Sequence, residues 1–216
     1  MALNSKQIAE LYHRRARGYD FAVTLYRLAG LRVSHYRRLA VDSLQLKQGD
    51  SVVEIGCGTG LNFHLLRDAV GASGNVIGVD ITAQMLDQAQ ARISRMGWHN
   101  VELVHVDAKD YVFSVGVNGI LSTLAISLIP AFDDIIRRGG RALVSGGRIS
   151  ILDMKQPKKW PPWLVRFAIW ATSPYGVSLD LADRHPWESV RRHLKEVEYR
   201  ELYFGALFLS VGESAG

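Results

Sequence analysis

Between residue 51 and about residue 155 the chain alternates short apolar runs with stretches whose apolar positions recur at helical spacing. The runs are Val52-Val53-Glu54-Ile55, Asn75-Val76-Ile77-Gly78-Val79-Asp80, Val101 to Ala108, Gly119 to Pro130 and Arg148 to Met154. This alternation predicts an α/β fold, a parallel sheet with helices on both faces. The first run leads into a helix whose apolar positions are Leu61, Phe63, Leu65 and Leu66. Upstream, Ile8, Leu11, Tyr12 and Arg15 share one helical face. Tyr19, Val23, Tyr26, Leu31 and Tyr36 recur in the same way, with Gly18 and Gly30 as breaks. There are no internal repeats, and one domain of 216 residues with 48% hydrophobic content can bury a sizeable core.

The junction after the first strand carries the chemistry. Glu54 stands two places before Gly56-Cys57-Gly58-Thr59-Gly60, a G-x-G-x-G turn at the start of a helix. Glycines let a backbone turn with positive φ and let a ligand approach main-chain atoms, and helix-start amides favour polar or anionic ligand groups. A dinucleotide fingerprint spaces its glycines G-x-G-x-x-G. Here the third glycine comes one residue early, and bulky Leu61 fills the dinucleotide position. Glu54 at the strand's carboxyl end suits a cationic ligand and repels a pyrophosphate. Asp80 ends the next strand, twenty residues after Gly60, where an acid pairs with ribose hydroxyls in open α/β sheets. Asp107 ends the third. Three acids at three consecutive strand ends point to a nucleoside-like cofactor without phosphate.

These residues resemble motif I and its successors in the class I S-adenosylmethionine-dependent methyltransferases. The resemblance implies a Rossmann-like sheet of seven strands, mostly parallel with one antiparallel, under an N-terminal helical lid. The cofactor it implies is S-adenosylmethionine, held by Tyr19, Glu54, Gly56, Cys57, Gly58, Gly60, Asp80, Ile81, Met85, Asp107, Ala108 and Thr123. Ile81 and Met85 would pack around the adenine, Asp107 would accept from its amino group, and the Ala108 backbone would lie close to the ring. Residues after the fourth strand border the methyl group and its acceptor in that class. The Asn/Asp-Pro-Pro-Tyr/Phe signature of planar amino-group methylation is missing there. Ser122-Thr-Leu-Ala-Ile-Ser-Leu-Ile-Pro130 instead resembles the bacterial phospholipid N-methyltransferases, as does Arg17-Gly-Tyr-Asp20 within the lid. A looser resemblance extends to the ubiquinone/menaquinone C-methyltransferases, where His185-Pro186-Trp187-Glu188 precedes a helix. Strands near Val197 to Tyr203 and Gly205 to Val211 would then complete an antiparallel sheet edge. Two departures stand out: Val117-Asn118 replaces the usual Phe-Asp, and Val144-Ser145-Gly146-Gly147 replaces Lys-Pro-Gly-Gly.

The implied acceptor is a small amphiphile, foremost a phospholipid head-group amine. A quinone precursor or other hydrophobic metabolite methylated at carbon or oxygen is one alternative, and RNA is another. Tyr19, Thr123, Ser127, Asp153 and His185 are the candidates to line the acceptor pocket, none of them an assigned catalyst. An amine acceptor must lose its proton, and His185 could serve as the base, although a histidine at a helix start is more often structural.

Composition narrows the setting. Residues 1 to 50 hold nine Lys/Arg against four acids, which equals the whole formal net charge of +5. Such a basic, aromatic-containing surface can hold nucleic acid, anionic lipid or only water. Residues 155 to 170 gather Trp160, Trp163 and Trp170 with Lys155, Lys158, Lys159 and Arg166. Tryptophans beside lysines fit a water–lipid boundary, or an insertion that closes the substrate pocket. Peripheral membrane contact is therefore expected through the basic N-terminal helices and the Trp160 to Trp170 segment, with no DNA partner. Four parts follow: a lid over 1–48, the cofactor-binding core over 49–154, the Trp-rich insertion over 155–184, and a C-terminal helix with strands over 185–216. No apolar run is long enough to span a bilayer, and Met1 to Lys6 lacks a secretory core, so a cytoplasmic location is expected. The single cysteine, Cys57, excludes an internal disulfide and a cysteine-built metal site, and no metal is expected.

Overall fold

The central strands carry apolar residues on both sides because both faces of the sheet are covered. Val52 faces one core while its neighbours Val53 and Ile55 face the other, and Leu121 and Ile120 divide in the same way. Successive side chains of a strand point to opposite faces, so a sheet packed on both sides favours apolar residues on both. The structure, a computed structural model, describes Gln7, Glu10 and residues 32–157, 159–172 and 183–215, without the side chains of 171 and 172.

The strands are β1 (Ser51–Ile55), β2 (Asn75–Asp80), β3 (Val101–His105), β4 (Val117–Thr123), β5 (Leu143–Met154), β6 (Lys195–Leu202) and β7 (Leu207–Glu213). They form one sheet in the order β3-β2-β1-β4-β5-β7-β6. β1 to β5 are parallel, and β7 runs antiparallel between β5 and β6. The chain winds outward through β2 and β3, then returns to place β4 on the other side of β1. Ligand sites in such sheets lie at this reversal, outside the carboxyl ends of the strands.

The described helices are α1 (Val33–Asp42), α2 (Phe63–Val70), α3 (Ala83–Met96), α4 (Phe132–Ala142), α5 (Pro162–Thr172) and α6 (Pro186–His193). α1, α2 and α3 cover one face with Ala40, Val41, Phe63, Leu66, Ala89 and Ile93. α4 and α6 cover the other with Ile135, Ile136 and Val190.

Several expected boundaries move. The first turn runs on to Asn62 and α2 begins at Phe63, not at Leu61. β3 ends at His105, which leaves Asp107 and Ala108 in the loop beyond it. β5 begins at Leu143 and is irregular: Val117 pairs with Leu143, yet Gly119 pairs with Arg148, so Val144 to Gly147 bulge out of register, with Gly146 at φ +75°. The glycines expected as a turn before the strand sit inside that bulge. The expected lid also changes. α1, near the end of the 1–48 stretch, is a core helix with Ala40 fully buried, while residues 1–6, 8–9 and 11–31, Tyr19 included, lie outside the described residues.

Candidate functional site

The turn after β1 is held by contacts that only glycine permits. Gly56 has φ +70°, and a Cβ there would lie 2.4 Å from Ala125 Cβ in the loop after β4. Gly60 has φ +73°, and its Cβ would lie 2.5 Å from the Phe63 ring. The turn is thereby pressed between the β4 loop and the first residue of α2.

Asp80, at the end of β2, ties the turn to its neighbour. Its Oδ2 accepts from the Gly58 amide at 2.8 Å, and its Oδ1 accepts from the Thr82 amide at 2.8 Å. Desolvation raises its carboxyl above the ordinary aspartate value, against the pull of those two amides. Thus a carboxylate already occupies an amide that a phosphate would need.

An open cleft lies above these strand ends. Val79, Ile81, Met85 and Ala108 give it one apolar wall, with Asp107 beside them. Asp107 Oδ1 accepts from the Lys109 amide at 3.1 Å, and Lys109 Nζ lies 3.1 Å from its other oxygen. Thr123, Leu124, Ala125, Leu128 and Ile129 form the opposite wall.

Beneath the cleft lies a buried polar network. Asn62 Nδ2 donates to Glu54 Oε1 at 2.6 Å and to Thr123 Oγ1 at 2.9 Å. Arg37 Nη1 reaches in from α1, donating to Asn62 Oδ1 at 3.1 Å and Thr123 Oγ1 at 2.9 Å. Glu54 is 1% exposed, and its Oε2 has no hydrogen-bond partner. Desolvation pushes its carboxyl up to about 7, outweighing Asn62 and the Arg37 charge. The folded state therefore favours the protonated form. Its stabilising contribution is complete below 4.5, the unfolded value, and disappears as pH rises through about 7. Glu54→Gln should remove about 3 kcal/mol of pH dependence between those limits. Urea denaturation of the ligand-free protein at several pH values would show this as a flatter stability profile, and an unchanged slope would refute it.

Sequence reasoning missed Asn62 and Arg37. Asn62 follows the last turn glycine by two residues, a usable signal. Arg37 sat in a run of cations expected on a surface, and no local pattern separates it from Arg38. Cys57 lines the cleft but is buried, and desolvation, with Asp80 and Glu54 nearby, holds its thiol well above the usual range. A thiol so placed is a poor nucleophile.

The candidates for the acceptor pocket separate in space. Thr123 lines the cleft. Asp153 and Ser127 lie behind its wall: Asp153 Oδ2 accepts from the Ser127 amide at 2.9 Å, and its Oδ1 accepts from the Met154 amide at 2.7 Å. Asp153 thus holds the short 3-10 turn Ile126–Leu128 onto the end of β5. Burial raises its carboxyl, with the amides of Ser127 and Met154 opposing. His185 stands just before α6, with Nδ1 3.3 Å from Glu188 Oε1 and its ring 4.7 Å from that of Trp187. It is not among the residues lining the cleft. The described residues contain no cluster of His, Cys, Asp and Glu able to hold a metal ion.

A family model, the ubiE/COQ5 methyltransferase family, matches residues 1–211. The chain belongs to that family. Among its relatives is the demethylmenaquinone methyltransferase of Listeria monocytogenes, 25% identical over 129 residues, covering 59% of this chain and 54% of the relative. An arsenite methyltransferase of Aquipseudomonas alcaligenes is 34% identical over 117 residues, covering 50% of this chain and 34% of that one. The chain spans about half the length of the demethylmenaquinone relatives it matches. Among solved structures, the [4+2]-cyclase SpnF superposes with a TM-score of 0.76 at 14% identity, over 100% of this chain and 98% of the other. The geranyl diphosphate C-methyltransferase of Streptomyces coelicolor, solved with S-adenosyl-L-homocysteine, gives 0.65 at 16% identity, over 83% and 78%. At these identities the likeness is one of fold, and a cyclase among the neighbours shows that this fold hosts more than one reaction. The seven-stranded sheet with one antiparallel strand expected from the sequence is the sheet observed.

Proposed function

We propose that the protein transfers a methyl group from S-adenosylmethionine to a hydrophobic small molecule. One observation carries the choice of donor: the Gly58 amide of the glycine turn is given to the Asp80 carboxylate, with Glu54 buried below. That arrangement disfavours a pyrophosphate and suits a ligand with ribose hydroxyls and a positive charge. The residues fit this donor: Asp80 toward the ribose, Ile81, Met85 and Ala108 around the base, Asp107 toward its amino group. Arg37, the one described cation lining the cleft, suits the carboxylate end. When bound, the cofactor supplies an electrophilic methyl on a sulfonium. The chain's task is to align the two reactants and exclude water.

For the acceptor, the wall of Leu124, Ala125, Leu128 and Ile129 is apolar throughout. That supports an aromatic ring methylated at carbon, as in a quinone precursor. The family model and the Listeria relatives favour the same reading. The phospholipid amine put first from the sequence is the second reading, supported by the cationic, tryptophan-bearing segment after β5. RNA has less support, because Arg37, one of the nine N-terminal cations, is buried in the network rather than displayed.

The test is a labelled-methyl assay offering an isoprenoid hydroquinone, phosphatidylethanolamine vesicles, arsenite with thiol, and RNA, each product identified by mass. Label on a ring carbon is the expected result. Label confined to the lipid amine would select the second reading. Donor binding without turnover on any acceptor class would overturn the enzymatic reading.

A further inference from the structure

We infer that α5 and the turn between β6 and β7 form a docking face for an anionic lipid bilayer. α5 turns Val165 into the protein. Its opposite side carries Trp163, Arg166, Phe167 and Trp170, spaced as one helical stripe, with Trp163 69%, Phe167 57% and Trp170 71% exposed. A helix facing water carries charged and polar residues along that stripe. Here three large aromatic side chains occupy it, with an arginine among them.

The adjoining turn adds a fourth. Tyr203, Phe204 and Gly205 have φ of +46°, +56° and +85°, a left-handed run that is costly for the two residues bearing side chains. It leaves Phe204 83% exposed. Trp160, two residues before α5, holds this turn: its indole Nε1 donates to the Phe204 carbonyl at 3.1 Å, and its ring meets Tyr203 edge-on. The turn and the start of α5 therefore belong to one surface. Met154, the last residue of β5, pairs with Leu207, the first of β7. Both features thus lie at the carboxyl edge of the parallel strands, where the cleft opens.

Charge selects the occupant. Residues 154 to 172 contain Lys155, Lys158, Lys159 and Arg166 and no acid. Lys155 is engaged with Glu201 and Tyr199, while Lys159 and Arg166 are exposed. A second copy of this face would oppose cation to cation. An anionic head-group layer complements the cations and accepts the aromatic rings at its boundary with the acyl chains. α5 has eleven residues, and no described helix is long and apolar enough to cross a membrane, so α5 would lie in the interface. The inference stands apart from methyl transfer, and its readout needs no turnover.

The test is flotation of the full chain with vesicles of phosphatidylcholine alone or mixed with phosphatidylglycerol, followed by indole emission. Wild type should float with the mixed vesicles, with blue-shifted emission, and much less with phosphatidylcholine. Trp163→Ala/Phe167→Ala should weaken binding by at least ~10-fold. Arg166→Gln should weaken it about fivefold, the share of one basic residue near an anionic surface. Both variants change exposed positions, so their melting temperatures should match wild type. The inference falls if wild type stays with the soluble fraction, if neutral vesicles bind it equally, if the aromatic variant floats as well as wild type, or if the face instead mediates a dimer or RNA binding that the same variant abolishes.

Discussion

Asp80→Ala is expected to cut kcat/KM at least ~100-fold, chiefly through lost donor affinity. The carboxylate does two jobs. It accepts from the Gly58 and Thr82 amides, fixing the glycine turn against the end of β2, and it faces the cleft where a ribose would lie. Truncation leaves two amides without their acceptor, each a loss of about 1–3 kcal/mol when buried, and removes a charge-assisted bond to the ligand of about 1.5–3 kcal/mol. Asp80→Asn keeps the shape and one acceptor oxygen, so its loss should be smaller. Calorimetric titration with S-adenosylhomocysteine separates the effects: weakened affinity with the fold retained is the expected outcome. Unaltered binding to Asp80→Ala would remove Asp80 from the site.

The second large effect is on folding. Gly56→Ala should destabilise the protein by roughly 2–5 kcal/mol, from the left-handed backbone cost and from overpacking. The positive φ accounts for only part of this. Gly97, the residue after α3, has φ +63° but nothing within 4 Å of where its Cβ would stand. Gly97→Ala should therefore lose only the backbone part, about 1–2 kcal/mol. Urea denaturation of both variants would isolate the contact with Ala125, and equal losses would show that the close approach of turn and β4 loop is unimportant. Loss of that approach should also open the cleft floor, since Gly56 and Ala125 both line it.

The two substitutions expose a common design. The turn is shaped by residues far away in sequence: Asp80 from β2, Ala125 from the loop after β4, Arg37 from α1. Glu54 contributes through Asn62, which also holds Thr123, rather than by lining the cleft itself. Its carboxyl, raised to about 7, leaves its charge sensitive to what binds above. A cationic ligand would favour the ionised form, and Arg37 already pulls in that direction.

The sequence by itself determined the succession of strands and helices in the core, the glycine turn and the acids at or just beyond the ends of the first strands. These are local signals: an apolar run of strand length, a backbone only glycine can adopt, a polar residue where such a run stops. It was equally able to indicate a sulfonium donor over a dinucleotide, because the spacing of the glycines and the carboxylate before them are both local. Tertiary structure alone decided which charges are buried. Arg37 and Arg38 are neighbours in one cationic run, yet only Arg37 lies inside, because α1 packs on the sheet with that side inward. Asp153 and Ser127, plausible pocket residues by position, lie behind the wall, with the Asp153 carboxylate accepting from the Ser127 and Met154 amides. α5 reads as an apolar helix in either setting, and only its packing shows which aromatic rings stay outside. Burial arises from contacts between elements distant along the chain, and no local pattern encodes which face of an element meets its neighbour.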